Sequence, residues 1–135
     1  MKELIVYDTN VFVSYFLSPS KAGSIKTVVD EIFDRKTVCV FCDEIMAEYD
    51  RVLHYAKFGF SHNEICTLLD FIRRNGRYVI PIATSALFAD ASDKCFYDAA
   101  LTASAHWLIT GNKRHFPPES FIVTAAEYLK RAGES

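Results

Sequence analysis

Acidic side chains follow several apolar segments of this chain, at the positions where predicted strands would end. The first is Asp8, which closes the apolar run Leu4–Tyr7 and precedes Thr9 and Asn10. The later candidates are Asp43, Glu44, Glu48, Asp90, Asp93, Asp98 and Asn112. In an open parallel sheet the carboxyl ends of the strands border the ligand crevice. We therefore expect these oxygen-bearing side chains to meet at one edge of the molecule.

Such a cluster suggests a particular chemistry, because carboxylates repel one another unless a cation neutralises them. Oxygen ligands suit Mg²⁺ and Mn²⁺. A divalent ion held in this way can activate water against a phosphodiester bond. The residue types alone therefore favour metal-dependent hydrolysis of a phosphate ester.

Each acid near the first two strands also has a purely structural interpretation. Asp8 could only cap the helix that follows it, a position that aspartate favours. Glu44 lies in the first turn of a predicted helix, where an acid complements the helix dipole. Glu48 lies four residues further along the same helix face. We therefore prefer Glu48 as the metal ligand and assign Glu44 a structural role.

Whether Asp90, Asp93 and Asp98 can serve one site depends on where the helix near them begins. Asp93 could be only the N-cap of a helix that begins at Lys94, and Asp90 could be only a loop residue. Asp98 lies five residues beyond Asp93, which corresponds to about 140° of rotation round a helix. Both acids reach one site only if Asp93 lies just outside the helix.

The elements that must position these residues alternate between two apolar patterns. Strands are predicted at Glu3–Tyr7, Thr37–Cys42, Arg77–Ile80, His106–Thr110 and Phe121–Val123. Helices are predicted at Asn10–Phe16, Ser24–Phe33, Glu44–Leu53, Ser61–Arg73, Lys94–Ala105 and Thr124–Arg131. Because helices separate successive strands, the predicted fold class is α/β, with a mainly parallel sheet covered on both faces.

Composition limits the organisation and the partners. The chain has 135 residues, half of them apolar, which suits one domain with a substantial core. We expect that domain over residues 1–132 and a flexible tail at 133–135.

No apolar run approaches the ~20 residues that span a bilayer, and Met1–Glu3 leads directly into a strand. We therefore expect no signal peptide, no membrane partner and a cytoplasmic protein. The net charge of −2 gives no global field for nucleic acid, so a polyanion would need a local basic patch or a bound cation.

Cys39 and Cys42 form a Cys-x-x-Cys pair, which could indicate zinc or redox chemistry. The pair lies in a predicted buried strand, however, where residues three apart point to opposite faces. No second Cys or His pair has zinc spacing. We therefore expect buried, reduced thiols. We assign His54, His62 and His106 to the surface or its boundary.

Four segments resemble, in order, the motifs of PIN domains. The resemblance is closest to the PIN-family toxins of prokaryotic toxin–antitoxin pairs, which are VapC-like in the broad sense. Asp8–Asn10 resembles the opening motif, and Glu48–Leu53 followed by Lys57–Phe58 resembles the helix of the second acid. Asp90–Asp98 resembles the segment of the third acid, and Thr110–Pro117 resembles the closing motif. Together these segments cover nearly the whole chain.

This resemblance implies a three-layer α/β/α sandwich and a Mg²⁺- or Mn²⁺-dependent ribonuclease, a hydrolase of RNA phosphodiesters. By position, Asp8, Glu48 and Asp93 would be the main acidic residues of the metal site. Asn112 stands where many PIN domains have a fourth aspartate, and its carbonyl oxygen can ligate a metal but brings no charge. Our conjecture is that Asp98 supplies the missing negative charge.

Two neighbours of Asp8 are expected to support it. Thr9 could donate its hydroxyl to a ligating carboxylate, and Asn10 could orient Asp8 or a water. Both residues could instead cap the first helix. The residues predicted to contact RNA phosphates are Lys57, Lys94, Lys113, Arg114 and His115.

The resemblance also implies partners. A toxin would have a small antitoxin that covers the site or inserts a basic residue into it, and PIN toxins often form homodimers. Two other functions stay open. A PIN fold weakened by the change at Asn112 could bind RNA or protein without cleavage. Another phosphoesterase on a doubly wound sheet could act on DNA flaps or small esters, although 135 residues leave no room for inserted domains.

Overall fold

The strands and helices alternate along the chain as their apolar patterns predict. The computed structural model describes residues 2–18 and 23–133. Its strands are β1 (Glu3–Tyr7), β2 (Thr37–Phe41), β3 (Arg77–Tyr78), β4 (Trp107–Ile109) and β5 (Ile122–Val123). Its helices are α1 (Thr9–Leu17), α2 (Ser24–Phe33), α3 (Asp43–Leu53), α4 (His62–Asn75), α5 (Ala91–Ala103) and α6 (Ala125–Gly133). A short 3-10 turn covers Lys113–His115.

These strands form one parallel sheet in the order β3-β2-β1-β4-β5. Ile5 of β1 lies opposite Cys39 of β2, and Tyr7 lies opposite Ile109 of β4. The direction in which strands are added reverses at β1, which has β2 on one side and β4 on the other. Ligands bind beyond the carboxyl ends of the strands at such a switch point. The predicted parallel sheet is confirmed, and its switch point lies just beyond Tyr7 and Ile109.

Helices cover both faces of the sheet and complete the three layers. Helices α2 and α6 contact each other beside β2 and β4, whereas α5 crosses β1, β2 and β4. Helix α3 contacts α1, α4 and α5. The expected α/β/α sandwich is therefore confirmed.

The interior of β1 is apolar because both faces of the sheet are covered. Ile5, Val6 and Tyr7 are fully buried. The hydroxyl of Tyr7 is hydrogen-bonded to Thr37 Oγ1 at 3.0 Å, and Tyr49 of α3 donates its hydroxyl to the backbone carbonyl of Tyr7. These bonds satisfy the polar atoms of two buried tyrosines. The second bond also ties α3 to the end of β1.

Helix α5 begins at Ala91, three residues earlier than predicted, whereas β1 and α2 have their predicted bounds. Asp90 caps α5, because its carboxylate accepts hydrogen bonds from the backbone nitrogen of Ser92 at 2.9 Å and its hydroxyl at 2.8 Å. Asp93 therefore lies inside the first turn. The interpretation of Asp93 as an N-cap is wrong because Asp90 and Ser92 form the cap one turn earlier.

The cysteine and tail predictions have different outcomes. Cys39 and Cys42 are buried free thiols, as expected. Helix α6 runs through Gly133, the first residue of the predicted tail, while Glu134 and Ser135 lie outside the described residues. The domain bounds at 1–132 stay a prediction. Within residues 2–18 and 23–133, we find no helix with the length and apolarity needed to cross a membrane.

Gly76 packs directly against backbone. A β-carbon at this position would lie 2.5 Å from the carbonyl oxygen of Cys39 and 2.6 Å from that of Ile72. Because backbone must move to make room, we expect Gly76→Ala to lower the free energy of unfolding by about 1–3 kcal/mol. Urea denaturation followed by circular dichroism measures this change.

The matched control is Gly133→Ala at the end of α6, where a β-carbon meets nothing within 4 Å. We expect this control to keep the stability of the unmodified chain, since alanine favours helix over glycine. A Gly76→Ala protein as stable as the control would contradict the close packing at Gly76.

Candidate metal centre

The carboxylate of Asp8 is buried at the switch point and held by two side-chain donors. Asp8 is 5% exposed. Its Oδ2 accepts hydrogen bonds from Thr110 Oγ1 at 2.7 Å and from Asn10 Nδ2 at 3.1 Å. Its backbone nitrogen donates to the carbonyl of Ile109 at 2.9 Å, which continues the pairing of β1 with β4. The carboxylate is therefore fixed in position by groups from both strand ends.

The loop after β4 is organised around the same residues. Thr110 Oγ1 accepts a hydrogen bond from the backbone nitrogen of Asn112 at 3.0 Å, so its own proton is directed to Asp8. Asn10 Oδ1 accepts from the backbone nitrogen of Gly111 at 2.9 Å. Asn10 thus binds the loop with its oxygen and Asp8 with its nitrogen. Its predicted role in orienting Asp8 agrees with these contacts.

Asp8, Glu48 and Asp93 line one open cleft, which we call the acidic cleft. Its other polar lining residues are Thr9, Asn10, Asp90, Ser92 and His115. Helix α3 places Glu48 there, because its hydrogen bond through Tyr49 ties it to β1. The first turn of α5 places Asp93 there. The three acids predicted from the sequence are thus brought together.

Burial raises the pKa of all three acids of the cleft, and neighbouring carboxylates add to the effect at Asp93 and Glu48. Burial, followed by the charges of Asp8 and Asp90, raises the pKa of Asp93 to about 6. Burial also raises the pKa of Asp8, against the hydrogen bond from Thr110. Burial likewise raises the pKa of Glu48, against the charge of Arg51. A cation placed among these groups would relieve both the repulsion and the loss of hydration.

Two of the acids have basic side chains as partners at the rim of the cleft. Arg51 donates a hydrogen bond to Glu48 Oε1, and His115 Nδ1 lies 3.5 Å from Asp93 Oδ2. Within residues 2–18 and 23–133, no three His, Cys, Asp or Glu side chains are arranged to hold a metal ion. For the three acids to share an ion, Glu48 and Asp93 must turn away from Arg51 and His115.

The chemistry of the cleft nevertheless fits a hydrated divalent cation. Its acidic donors are carboxylate oxygens, the ligands that Mg²⁺ and Mn²⁺ prefer. In addition, Thr9 Oγ1 is buried in the cleft wall without a hydrogen-bond partner among the described residues. A buried hydroxyl left in this way costs about 1–3 kcal/mol, and a metal-bound water or a phosphate oxygen would satisfy it. Asp8, Glu48 and Asp93 are the residues that would hold the ion.

The hydroxyl hydrogen bond to Asp8 that was predicted for Thr9 is made by Thr110. Both are threonines next to Asp8 in space, but the hydroxyl that Asp8 accepts belongs to Thr110, which is fully buried. The sequence contains one signal for this contact. Thr110 is the first residue after β4, and the pairing of Tyr7 with Ile109 brings it beside Asp8. This signal can be recognised only once β4 is known to pair with β1.

Asp98 does not join the acidic cleft, so the conjecture that it supplies a fourth charge is wrong. Its Oδ1 accepts from Thr84 Oγ1 at 2.6 Å and from the backbone nitrogen of Thr84 at 3.2 Å. Its Oδ2 is paired with Lys94 Nζ at 2.7 Å. Because Asp93 and Asp98 are both inside α5, their side chains leave the helix about 140° apart. Asp98 instead anchors the segment before α5.

Asn112 is not among the residues that line the acidic cleft. Its Nδ2 donates to His115 Nε2 at 3.0 Å, across the 3-10 turn. With its amide used in this way, Asn112 positions the imidazole that faces Asp93. The oxygen-ligand role predicted for Asn112 stays untested.

Three of the five residues predicted to contact RNA are engaged elsewhere. Lys94 is paired with Asp98. Lys113 Nζ lies 3.1 Å from Glu127 Oε1. Lys57 Nζ lies over the ring of Phe58, 5.3 Å from its centroid.

The other two predicted residues, Arg114 and His115, line a second pocket that adjoins the acidic cleft. This pocket shares Asp90, Asp93 and His115 with the cleft, and its remaining walls are Leu87, Phe88, Ala89, Arg114, Phe116 and Pro117. Both basic side chains therefore lie in or next to the acidic cleft.

The sequence profile of the PIN domain matches residues 4–114. This chain therefore belongs to the PIN domain family, whose members are typically metal-dependent nucleases. The match spans β1 to the turn after β4 and includes every residue of the acidic cleft except His115. No curated protein and no solved structure matches the chain.

Two threonine variants test how Asp8 is held. Thr110→Val removes the strongest donor to a buried carboxylate, and we expect a loss of about 1–3 kcal/mol in the free energy of unfolding. Thr9→Val removes a hydroxyl that has no partner, so we expect no loss. Urea denaturation at pH 7.5 with EDTA measures both. Equal losses in the two variants would contradict the assignment of the hydrogen bond to Thr110.

Asp93 makes the stability of the metal-free protein depend on pH. Its pKa of about 6 lies above the ordinary aspartate value, so the folded state binds a proton more tightly than the unfolded chain. Stability should therefore rise as the pH falls from about 6 towards 4, and the ionised group should destabilise the fold above pH 6. We expect Asp93→Asn to raise the free energy of unfolding at pH 7.5 by about 1–2 kcal/mol.

The control for this prediction is Asp70→Asn on the exposed face of α4, where Asp70 forms a surface ion pair with Arg73. We expect its effect to stay within about 0.5 kcal/mol. Denaturation with EDTA at pH 7.5, 6 and 4.5 gives the comparison. An Asp93→Asn protein that is less stable than the unmodified chain at pH 7.5 would contradict the destabilisation of ionised Asp93 by burial and by the neighbouring acids.

Proposed function

We propose that this PIN domain is a Mg²⁺- or Mn²⁺-dependent endoribonuclease and that it acts as the toxin of a toxin–antitoxin pair. The observation that carries the proposal is the meeting of Asp8, Glu48 and Asp93 in one cleft at the switch point of the sheet. Family membership supports nuclease chemistry in general. The choice of RNA, the identity of the ion and the toxin role go beyond that membership.

Each acidic residue has a distinct part in the proposed reaction. A bound divalent ion would supply a water of lowered pKa and offset charge on the phosphoryl oxygens. Asp8 cannot turn away, because Thr110 and Asn10 hold it, so it provides the fixed ligand. Asp93 and Glu48 are the candidates to accept the proton of the attacking water. The raised pKa of Asp93, about 6, favours it for this role.

An RNA substrate is supported by the surroundings of the cleft rather than by the overall charge. The net charge of −2 provides no long-range attraction for a polyanion. Arg114 and His115 are basic residues beside the acids. The adjoining pocket also presents Phe88, Phe116 and Pro117, an apolar surface beside which an unpaired base could lie. Single-stranded RNA therefore suits this surface better than a rigid duplex.

The toxin role implies a protein partner. An open cleft with three carboxylates would be blocked by a basic side chain, which could pair with Glu48 or Asp93 as Arg51 and His115 do within this chain. We therefore propose a small antitoxin that places a basic residue at the cleft. A homodimer, common among such toxins, is part of the same proposal.

Two observations favour a second candidate, a catalytically weakened PIN fold that binds RNA or protein. Asn112 stands in place of a fourth acid, and its amide is bonded to His115. Glu48 is also bonded to Arg51. With fewer free carboxylates, the site would bind a divalent ion weakly. Isothermal titration with Mn²⁺ separates the candidates, because the weakened fold would show low affinity and no cleavage.

The experiment for the proposed function is cleavage of a mixed single-stranded RNA pool by the purified protein. We expect cutting with Mn²⁺ or Mg²⁺ and none with EDTA. Asp8→Asn and Glu48→Gln should lose at least about 100-fold in rate, since the held ion contributes several kcal/mol to the reaction. Denaturing gels of end-labelled RNA measure the rates, and circular dichroism checks that the variants fold.

The matched control is Glu44→Gln, which changes an exposed acid one turn before Glu48 on the same helix. We expect it to keep the full cleavage rate. A parallel single-stranded DNA pool separates ribonuclease from general nuclease activity. Equal cleavage by Asp8→Asn and the unmodified chain would refute the site, and a well-folded, Mn²⁺-binding protein that cuts only DNA would refute the substrate.

A further inference from the structure

Basic residues collect at the amino ends of the strands, on the opposite edge of the sheet from the acidic cleft. An open pocket of about 180 Å³ lies there between α2 and α4, and β2 forms its floor. Lys2 and Arg35 line this pocket, and the chain neighbours of lining residues include Lys36, Arg74 and Arg77. All five residues are exposed. We call these five residues the basic edge.

The positive charge of the basic edge is largely unopposed. Within residues 2–18 and 23–133, none of its five residues forms an ion pair. The acids next to them or to the pocket residues along the chain are Glu3, Asp34 and Asp70. Glu3 accepts a hydrogen bond from Trp107 Nε1, and Asp70 is paired with Arg73. Asp34 is therefore left to oppose five cations, in a chain whose overall charge is −2.

The backbone of Arg35 shows that this cation is placed against the local preference of the chain. Helix α2 ends in a Schellman motif, in which the backbone nitrogen of Arg35 donates to the carbonyl of Ile32 at 3.0 Å. The nitrogen of Lys36 donates to the carbonyl of Glu31 at 2.9 Å. Arg35 thereby has a φ of 60°, a conformation that favours glycine because a β-carbon is crowded in it. Its guanidinium lies over the ring of Phe71, 6.0 Å from the centroid, which holds the charge beside the pocket.

We propose that the basic edge binds the phosphate backbone of single-stranded RNA, as a contact surface separate from the acidic cleft. Its five cations belong to three segments of the chain, which is more charge than one phosphate group engages. A strand with a phosphate at every nucleotide contacts several of them at once and gains affinity by releasing counterions. The choice of RNA rests on the proposed function, whereas the phosphate chemistry rests on the basic edge alone.

The position of the basic edge determines which substrates can use it. Lys2 precedes β1 and Asp8 follows it, so the two surfaces lie about 20 Å apart along the strand direction. A short oligonucleotide can fill the acidic cleft without meeting the basic edge, whereas a longer strand can contact both. Phosphate contacts carry no base sequence. The basic edge should therefore raise the affinity for long strands and leave the choice of the cleaved bond to the cleft.

The test measures binding in EDTA, where no metal-dependent cleavage occurs, by fluorescence anisotropy of a labelled RNA of about 20 nucleotides. The variant Arg35→Gly removes one cation and should fold normally, because glycine suits the backbone there. We expect it to bind about fivefold more weakly and to make the salt dependence of log affinity shallower by about 0.7. Adding Lys36→Gln should double the change in slope. Urea denaturation confirms that both variants fold.

The matched control is Lys130→Gln on α6, which removes one exposed cation that does not belong to the basic edge. We expect it to keep the affinity and the salt slope of the unmodified chain. Unlabelled RNA should compete far better than inorganic phosphate or a polyglutamate of the same length. Equal losses in Arg35→Gly and Lys130→Gln would overturn the proposal. Equal competition by phosphate would assign the pocket to a free anion, and equal competition by polyglutamate would assign it to an acidic protein.

Cleavage with Mn²⁺ separates this inference from the proposed function. We expect the double variant to raise the KM of the long RNA about tenfold without changing kcat, and to cut a strand of about four nucleotides as the unmodified chain does. An unmodified chain that binds RNA through the basic edge but never cuts it would refute the nuclease alone. A long RNA cut with the same KM by every variant would refute the basic edge alone.

Discussion

A buried carboxylate is tolerated in a protein only where donors replace the water it has lost, and at Asp8 the closer of the two side-chain donors follows another strand. The parallel pairing of β1 with β4 brings Thr110 within 2.7 Å of Asp8 Oδ2. Asn10 completes the arrangement by bonding both Asp8 and the loop after β4. Without this pairing, the desolvated charge at the end of β1 would keep only the hydrogen bond from Asn10, which leaves it under-compensated at a cost of up to several kcal/mol. The position of the acidic cleft is therefore a consequence of strand order, and every other cleft residue is arranged around a carboxylate that does not move.

The remaining acids show how the chain limits repulsion in the absence of a cation. Glu48 is bonded to Arg51, three residues further along the same helix, and Asp93 faces His115. These partners lie at the rim, where a side chain can swing into solvent at little cost. A divalent ion would compete with Arg51 and His115 for the same carboxylate oxygens. Its net affinity is therefore its own binding free energy minus the free energy of the side-chain contacts that it replaces. Arg51 and His115 are thus part of the energetics of the metal site even though neither would bind the metal.

Strand and helix patterns predicted the parallel sheet and the meeting of Asp8, Glu48 and Asp93, since periodicity and chain order determine which strand ends lie together. They did not predict side-chain direction. Asp90 and Asp93 are both good capping residues, and the choice between them depended on Ser92, whose backbone and hydroxyl both bond Asp90. That choice moved the start of α5 by three residues and placed Asp98 on a different face from Asp93. Thr9 and Thr110 posed the same difficulty, because only the pairing of non-adjacent strands decides which hydroxyl reaches Asp8.

The side-chain contacts of the basic residues were likewise not predictable from the sequence. Sequence shows which lysines stand near the motifs, but not which of them are already paired. Lys94 is paired with Asp98 and Lys113 with Glu127, so Arg114 and His115 are what remains of the predicted set beside the acidic cleft. A contact between phosphate and a cationic side chain contributes to binding by releasing counterions, and Arg114 with one neighbouring imidazole gives a weak, local attraction. The bound cation and the apolar walls of the adjoining pocket must then provide most of the affinity for a nucleic acid at the cleft. A segment held mainly in this way is selected by the shape of an unpaired strand rather than by its charge.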